Sequence, residues 1–113
     1  MRDDRERILD ILEAIERIER YAVRGRTAFE SDELVQVWMV SHIQVIGEAC
    51  NAISQELQAS HPEIPWRDIV GMRNILVHHY FDVDLDIVWA AIEHNLPALK
   101  RDLGMMLAEL EKK

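Results

Sequence analysis

From Glu33 to about Ala59, apolar residues return at steps of three and four, through Leu34, Val37, Trp38, Val40, Ile43, Val45, Ile46, Ala49, Ile53 and Leu57. A helix gathers such a series on adjacent faces. The apolar positions cover more than one stripe, as expected of a helix buried on two sides. That spacing predicts one long central helix with other helices packed around it. Four Gly and three Pro in 113 residues leave few turns, which favours long neighbours as well. The expected architecture is all-α: an up-and-down bundle of four to five helices in one domain spanning residues 1–113, with the second helix longest. A chain of this length buries a real core and still gains burial by oligomerising.

Residues 3–24 carry Ile8, Ile11, Leu12, Ile15, Ile18 and Ala22 among acids and arginines, an amphipathic helix that Asp3 or Asp4 can cap and Gly25 can end. Glu13 with Arg17, and Glu16 with Arg20, stand four apart in the favourable order on its solvent face. Thr27 with Glu30 fits a capping box, and Ser31 or Asp32 offers a second cap before the central helix. His61-Pro62-Glu63-Ile64-Pro65-Trp66 reads as a true loop, because each proline denies its predecessor helical geometry. Pro65 and Trp66 lead into a short helix over residues 66–80, with Trp66 plugging the bundle end. Asp82 and Asp84 supply caps for a helix bearing Leu85, Val88, Trp89 and Ile92. Pro97 interrupts the apolar pattern that continues as Leu99, Leu103, Met106 and Leu110, so the last helix is kinked or restarted there. The polar tail from Glu109 to Lys113 is expected to fray.

A formal charge of -8 argues against broad non-specific binding to nucleic acid, whose affinity comes mostly from phosphates neutralised by Lys and Arg. A chain of this composition that acts on nucleic acid has to concentrate its cations in one cleft. No apolar run approaches the ~18 residues of a membrane span, and no basic start precedes a leader-like apolar segment, so a cytoplasmic protein is expected. The single cysteine, Cys50, excludes an intramolecular disulfide and reads as a buried, inert thiol among Ala49, Asn51 and Ala52. His42 has neither an acid nor a histidine at metal-ligand spacing and reads as satisfied or partly exposed. No metal site and no cofactor are expected.

Polar chemistry is densest in Gly71-Met72-Arg73-Asn74-Ile75-Leu76-Val77-His78-His79-Tyr80-Phe81. On a helix, Val77, Phe81, Asn74 and His78 trail Arg73 by about 40°, 80°, 100° and 140°, and Tyr80 lies about 20° to its other side. Ile75, Leu76, Met72 and His79 occupy the opposite arc, so one side can be buried while guanidinium, amide, imidazole and phenol are presented on the other. A guanidinium stays charged and offers a fork of donors matched to phosphate oxygens, and imidazole titrates nearest neutrality. The pair suits phosphodiester cleavage. In RNA the substrate's own 2'-OH can attack, so proton transfer and charge stabilisation suffice. Asn74, about 40° from His78, can orient the ring or contact the phosphate. By spacing alone, the pair also fits a structural salt bridge with a helix-terminal histidine. Glu48, beside Gly47 in an apolar stretch, reads either as an exposed acid at the edge of the stripe or as a carboxylate that aims Arg73 by a bidentate hydrogen bond.

Arg73-Asn74-x-x-x-His78-x-Tyr80 resembles the Arg-x-x-x-x-His-x-Tyr motif of the HEPN superfamily, in its branch of HepT-like toxins. The resemblance continues through Ile46-Gly47-Glu48-Ala49, Ile64-Pro65-Trp66 and Asp84-Leu85-Asp86-Ile87-Val88-Trp89, in that order, from about residue 40 to residue 100. It implies a HEPN-type bundle that dimerises, the motif helices of two copies lining a shared cleft. It also implies a metal-independent endoribonuclease acting as the toxin beside an MNT-type nucleotidyltransferase antitoxin, with which a higher-order complex can form. Arg73 and His78 are then catalytic, Asn74 assists, and Tyr80 is the hydroxyl that the antitoxin modifies with adenylate. The register of Tyr80 near Arg73 agrees, since an anionic nucleotide there would fill the phosphate site. A second reading makes the domain a non-catalytic nucleotide- or substrate-binding subunit of a nucleotidyltransferase complex, with Arg73 and His78 serving only as an anion site.

Overall fold

The computed structural model of the chain describes residues 2–78 and 84–112, apart from the side chains of residues 73–78. Its helices are α1 (Asp4–Ala22), α2 (Arg26–Ser31), α3 (Glu33–Ala52), α4 (Gln55–Ser60), α5 (Trp66–His78), α6 (Leu85–Ala90) and α7 (Leu96–Glu111). A π-helical turn, Ala91–Asn95, joins the last two into one rod. The described residues contain no strand, and the long elements are four: α1, α3, α5 and the α6–α7 rod. The all-α expectation therefore holds, and α3, at 20 residues against 19 for α1, is the longest single helix.

Helix α1 contributes Ile8, Ile11, Ile15 and Ile18, all fully buried, to a cluster with Met39, Ile43 and Ile46 of α3 and Leu99, Leu103 and Met106 of α7. Burying each such side chain is worth roughly 1.5–3 kcal/mol over leaving it in water. Helix α3 packs on α1 along one side and on α5 along another, while α7 packs on α1. It is not covered all round. Leu34, Val37 and Val45 are 81%, 49% and 43% exposed, and by register they fall within about 80° of one another. The broad apolar face of the sequence thus divides into a packed part and a bare stripe.

The central helix ends at Ala52, short of the expected Ala59, because other parts of the chain satisfy the groups freed by the break. Ile53 turns extended, and Ser54 begins α4. Arg7 donates from Nη1 to the Ala52 carbonyl (2.5 Å), and Gln58 donates from Nε2 to the carbonyls of Cys50 (3.1 Å) and Ile53 (2.9 Å). Asp4 accepts from the Ser54 backbone N–H (2.9 Å) and hydroxyl (2.6 Å), and Ser54 Oγ caps α4 by accepting from the Leu57 N–H (3.2 Å).

Other boundaries follow local chemistry. Asp3 caps α1, Asp32 caps α3 and Asp84 caps α6. Thr27 and Glu30 form no capping box: α2 starts behind Gly25, whose φ of +91° suits glycine, and Glu30 pairs with Arg26 (2.6 Å). Arg26 also reaches Asp86, tying α2 to α6. Pro97 lies in the first turn of α7, where the π turn before it relieves the clash and the missing N–H, so the helix restarts as expected. The tail is helical further than expected, to Glu111, which pairs with Arg5 of α1 (3.1 Å). No helix of the described residues is long and apolar enough to cross a membrane.

Candidate active site

Helix α5 carries the motif, and its start is fixed by short-range contacts. The Ile69 N–H donates to the Pro65 carbonyl (3.1 Å), Trp66 Nε1 donates to the His61 carbonyl (3.0 Å), and Ile64 and Ile69 are buried. Trp66 is partly buried against the core, as expected of a plug. In the preceding loop His61 Nδ1 lies 3.0 Å from the Glu63 carboxylate. The backbone N–H of Glu63 and then His61 hold that carboxyl below the usual carboxylate range.

Arg73, Asn74 and His78 lie in the helical backbone of α5, while Tyr80 lies outside the described residues. Register divides the motif between two arcs. Trp66 and Ile69, which pack inward, stand about 20° and 40° from the Arg73 position. Arg67, exposed, stands midway between Asn74 and His78, about 20° from each. The ridge of Arg67, Asp68 and Gly71 separates two open grooves of about 630 and 440 Å³. The first is walled by Asn51 of α3 and Gln55 and Gln58 of α4, the second by Ile43 of α3 and Ile87, Val88 and Asn95 of the α6–α7 rod. Arg67 was not among the residues singled out from the sequence. Its signal was the series Arg67, Gly71, Asn74, His78, at steps of four, three and four.

Glu48 is exposed and lines a third groove, of about 480 Å³, between α1 and α3. Its cationic neighbours there are Arg2, Arg7 and Arg17. Arg2 is engaged by Asp10 (2.5 Å), Arg17 by Glu13 (2.7 Å), and Arg7 by the Ala52 carbonyl. His42, in the same groove, is half-buried, with Nδ1 2.7 Å from the Trp38 carbonyl and its ring 4.4 Å from that of Trp38. Cys50 is buried, and desolvation pushes its thiol up to about 12. Among the described residues no three His, Cys, Asp or Glu side chains gather as a metal ion would require.

The helical layers define an all-α bundle, a fold consistent with a HEPN-type domain. A model of the family described as Ribonuclease HepT-like matches residues 11–106. The chain is 36% identical to a protein of Thermococcus cleftensis named "Probable ribonuclease HepT", over 88% of this chain and 91% of that one. It is 28% identical to a protein of Shewanella oneidensis named "mRNA nuclease HepT", over 91% of this chain and 95% of the other. No solved structure matches it. The chain belongs to the HepT-like ribonuclease family, and it is an endoribonuclease.

Proposed function

We propose that the chain is a metal-independent endoribonuclease whose cleavage of RNA arrests growth, the toxin of a pair completed by an MNT-type nucleotidyltransferase antitoxin. Residues 1–113 then form one HepT-like domain that works in the cytoplasm. The observation that carries the reading is the motif Arg73-Asn74-x-x-x-His78 on α5 of a HepT-like chain, where α5 bears an exposed ridge with an open groove on each side. In the reaction His78 takes the proton from the 2'-OH as O2' attacks phosphorus. The bond to the 5'-oxygen breaks, that oxygen takes a proton from water to which His78 afterwards returns its own, and a 2',3'-cyclic phosphate remains. Arg73 offsets the charge on the non-bridging oxygens, and Asn74 orients the ring or the phosphate. Messenger RNA is the substrate by analogy with the Shewanella oneidensis relative.

The bare stripe of Leu34, Val37 and Val45 supports a homodimer, since an apolar strip of this kind gains by being covered. In that dimer Arg73 of one copy and His78 of the other serve one phosphate. Adenylate on Tyr80 blocks the cleft, and the antitoxin adds steric cover in a larger complex.

The test compares the wild type with His78→Ala on chelator-treated RNA. Cleavage lost in the variant, insensitive to chelator in the wild type and leaving 2',3'-cyclic ends, is expected; equal cleavage by both proteins overturns the reading. Mixing Arg73→Ala with His78→Ala should restore about a quarter of wild-type activity, because half of the dimers are mixed and each carries one intact composite site. No recovery in verified mixed dimers removes the shared cleft. Protein co-expressed with the antitoxin should gain adenylate on Tyr80, and adenylate elsewhere or none refutes the regulatory step.

A further inference from the structure

Among the described residues, nothing occupies the space beside Gly71 of α5. A Cβ built on Gly71 would meet nothing within 4 Å among the described residues, and its φ is not positive. Glycine inside a helix costs about 1 kcal/mol relative to Ala, so a position with free space beside it would be better filled by a side chain. The usual gain from such a glycine is a bare backbone that another molecule can approach. Gly71 borders both grooves beside α5, and so do Arg67 and Asp68.

Arg67 stands one turn before Gly71, is exposed, and has no carboxylate within ion-pair distance among the described residues. The first turn of α5 adds Asp68, an acid about 100° round the helix from Arg67. Asn74 and His78 continue the line of Arg67 and Gly71 towards the C-terminus, at roughly 10 and 16 Å from Arg67 along the axis. That is further than one phosphate step of an extended strand. A guanidinium so placed can hold a phosphate of the same strand other than the one at His78.

We propose that Arg67 and Gly71 form a second phosphate subsite of the RNA-binding surface, Arg67 gripping a phosphate away from the cut while the strand passes close over the bare backbone at Gly71. The proposal rests on the assignment of His78 to the cut. It gives the enzyme a preference for strands that extend beyond the cleaved dinucleotide, and it gives a chain of net charge -8 a local cation where the strand lies.

The test uses the full-length protein, RNA dinucleotides and octanucleotides, and their uncleavable 2'-deoxy counterparts. Arg67→Gln should weaken octanucleotide binding about fivefold, as loss of one exposed charged contact does, with a smaller change for the dinucleotide. The slope of log affinity against log salt should become shallower by about 0.7, the value for one phosphate of a single strand. Arg67→Lys should recover most of the salt dependence. Gly71→Ala should raise thermal stability yet weaken octanucleotide binding. An unchanged octanucleotide affinity and salt slope in Arg67→Gln overturns the subsite. So does an equal loss on both lengths, or a loss that follows dissociation of the protein measured by sedimentation. Cleavage retained by His78→Ala would instead remove the catalytic assignment, and the binding data on uncleavable strands are read independently of it.

Discussion

Ser54→Ala removes two contacts where α3 gives way to α4: the 2.6 Å hydrogen bond from its hydroxyl to Asp4, and the cap it offers the Leu57 N–H at 3.2 Å. Losing a serine cap costs typically about 1 kcal/mol. The bond to Asp4 is exposed, so solvent screening limits it to about 0.5 kcal/mol. The residue 54 backbone N–H keeps its 2.9 Å bond to Asp4, so the join survives the change. The expected destabilisation is about 1.5 kcal/mol, or roughly 6 °C in melting temperature for a domain of this size. A helix running unbroken through residue 54, as the apolar spacing suggests, gives the opposite sign, because Ala exceeds Ser in helix propensity by roughly 0.5 kcal/mol. Urea unfolding followed by circular dichroism, with an unchanged slope m, measures the difference. A neutral or stabilising result refutes the break and the contacts that make it.

Leu103, fully buried in the core that α7 shares with α1, should cost about 2–5 kcal/mol as Leu103→Ala, read from the same urea transition; a cost below about 1 kcal/mol would mean the site is not packed as described. Cys50, its thiol pushed up to about 12 by burial, should resist a thiol reagent in the native protein and react at the rate of unfolding when urea is added; rapid labelling without urea contradicts this. Glu63 has its folded pKa lowered, so its contribution is present above the unfolded carboxylate value of about 4.3 and is lost as pH falls through the lower folded value. Glu63→Gln should therefore flatten the acid limb of the stability curve, and an acid limb identical to wild type would show that the carboxylate is not held as described.

The helix content was legible because periodicity and caps are local. Asp3, Asp32 and Asp84 lie next to the turns they cap, and Pro97 acts within its own turn. The break after Ala52 was not legible for the opposite reason. Ile53 and Leu57 keep the helical spacing, while the groups that stabilise the break, Asp4 and Arg7, lie about fifty residues earlier in the chain. The bare stripe of Leu34, Val37 and Val45 was hidden likewise, since an apolar side chain that awaits a cover has the same spacing as one already covered. At the candidate site, the proposal for Arg73 and His78 rests on residue type and the family resemblance, and the structure adds their place on the backbone of α5. Arg67 was passed over although its steps to Gly71, Asn74 and His78 stand in the sequence, because an arginine in the first turn of a helix looks like any solvated charge until the grooves beside it are seen.

Arg73 and His78 stand about 140° apart on α5. By register the Arg73 position lies on the arc of Trp66 and Ile69, and the His78 position on that of Arg67 and Gly71. For one copy to place both groups on one phosphate, the guanidinium would have to reach more than a third of the way round its own helix. A two-fold pairing of α5 with its counterpart removes that difficulty, since Arg73 of one copy and His78 of the other can then approach a phosphate from opposite sides. The charge balance points the same way. A surface of net charge -8 repels RNA in general, and pairing two copies doubles the positive potential along the motif helices while leaving the rest acidic. On the proposed reading assembly would be a condition of catalysis, and the acidic remainder of the surface would confine RNA to the cleft.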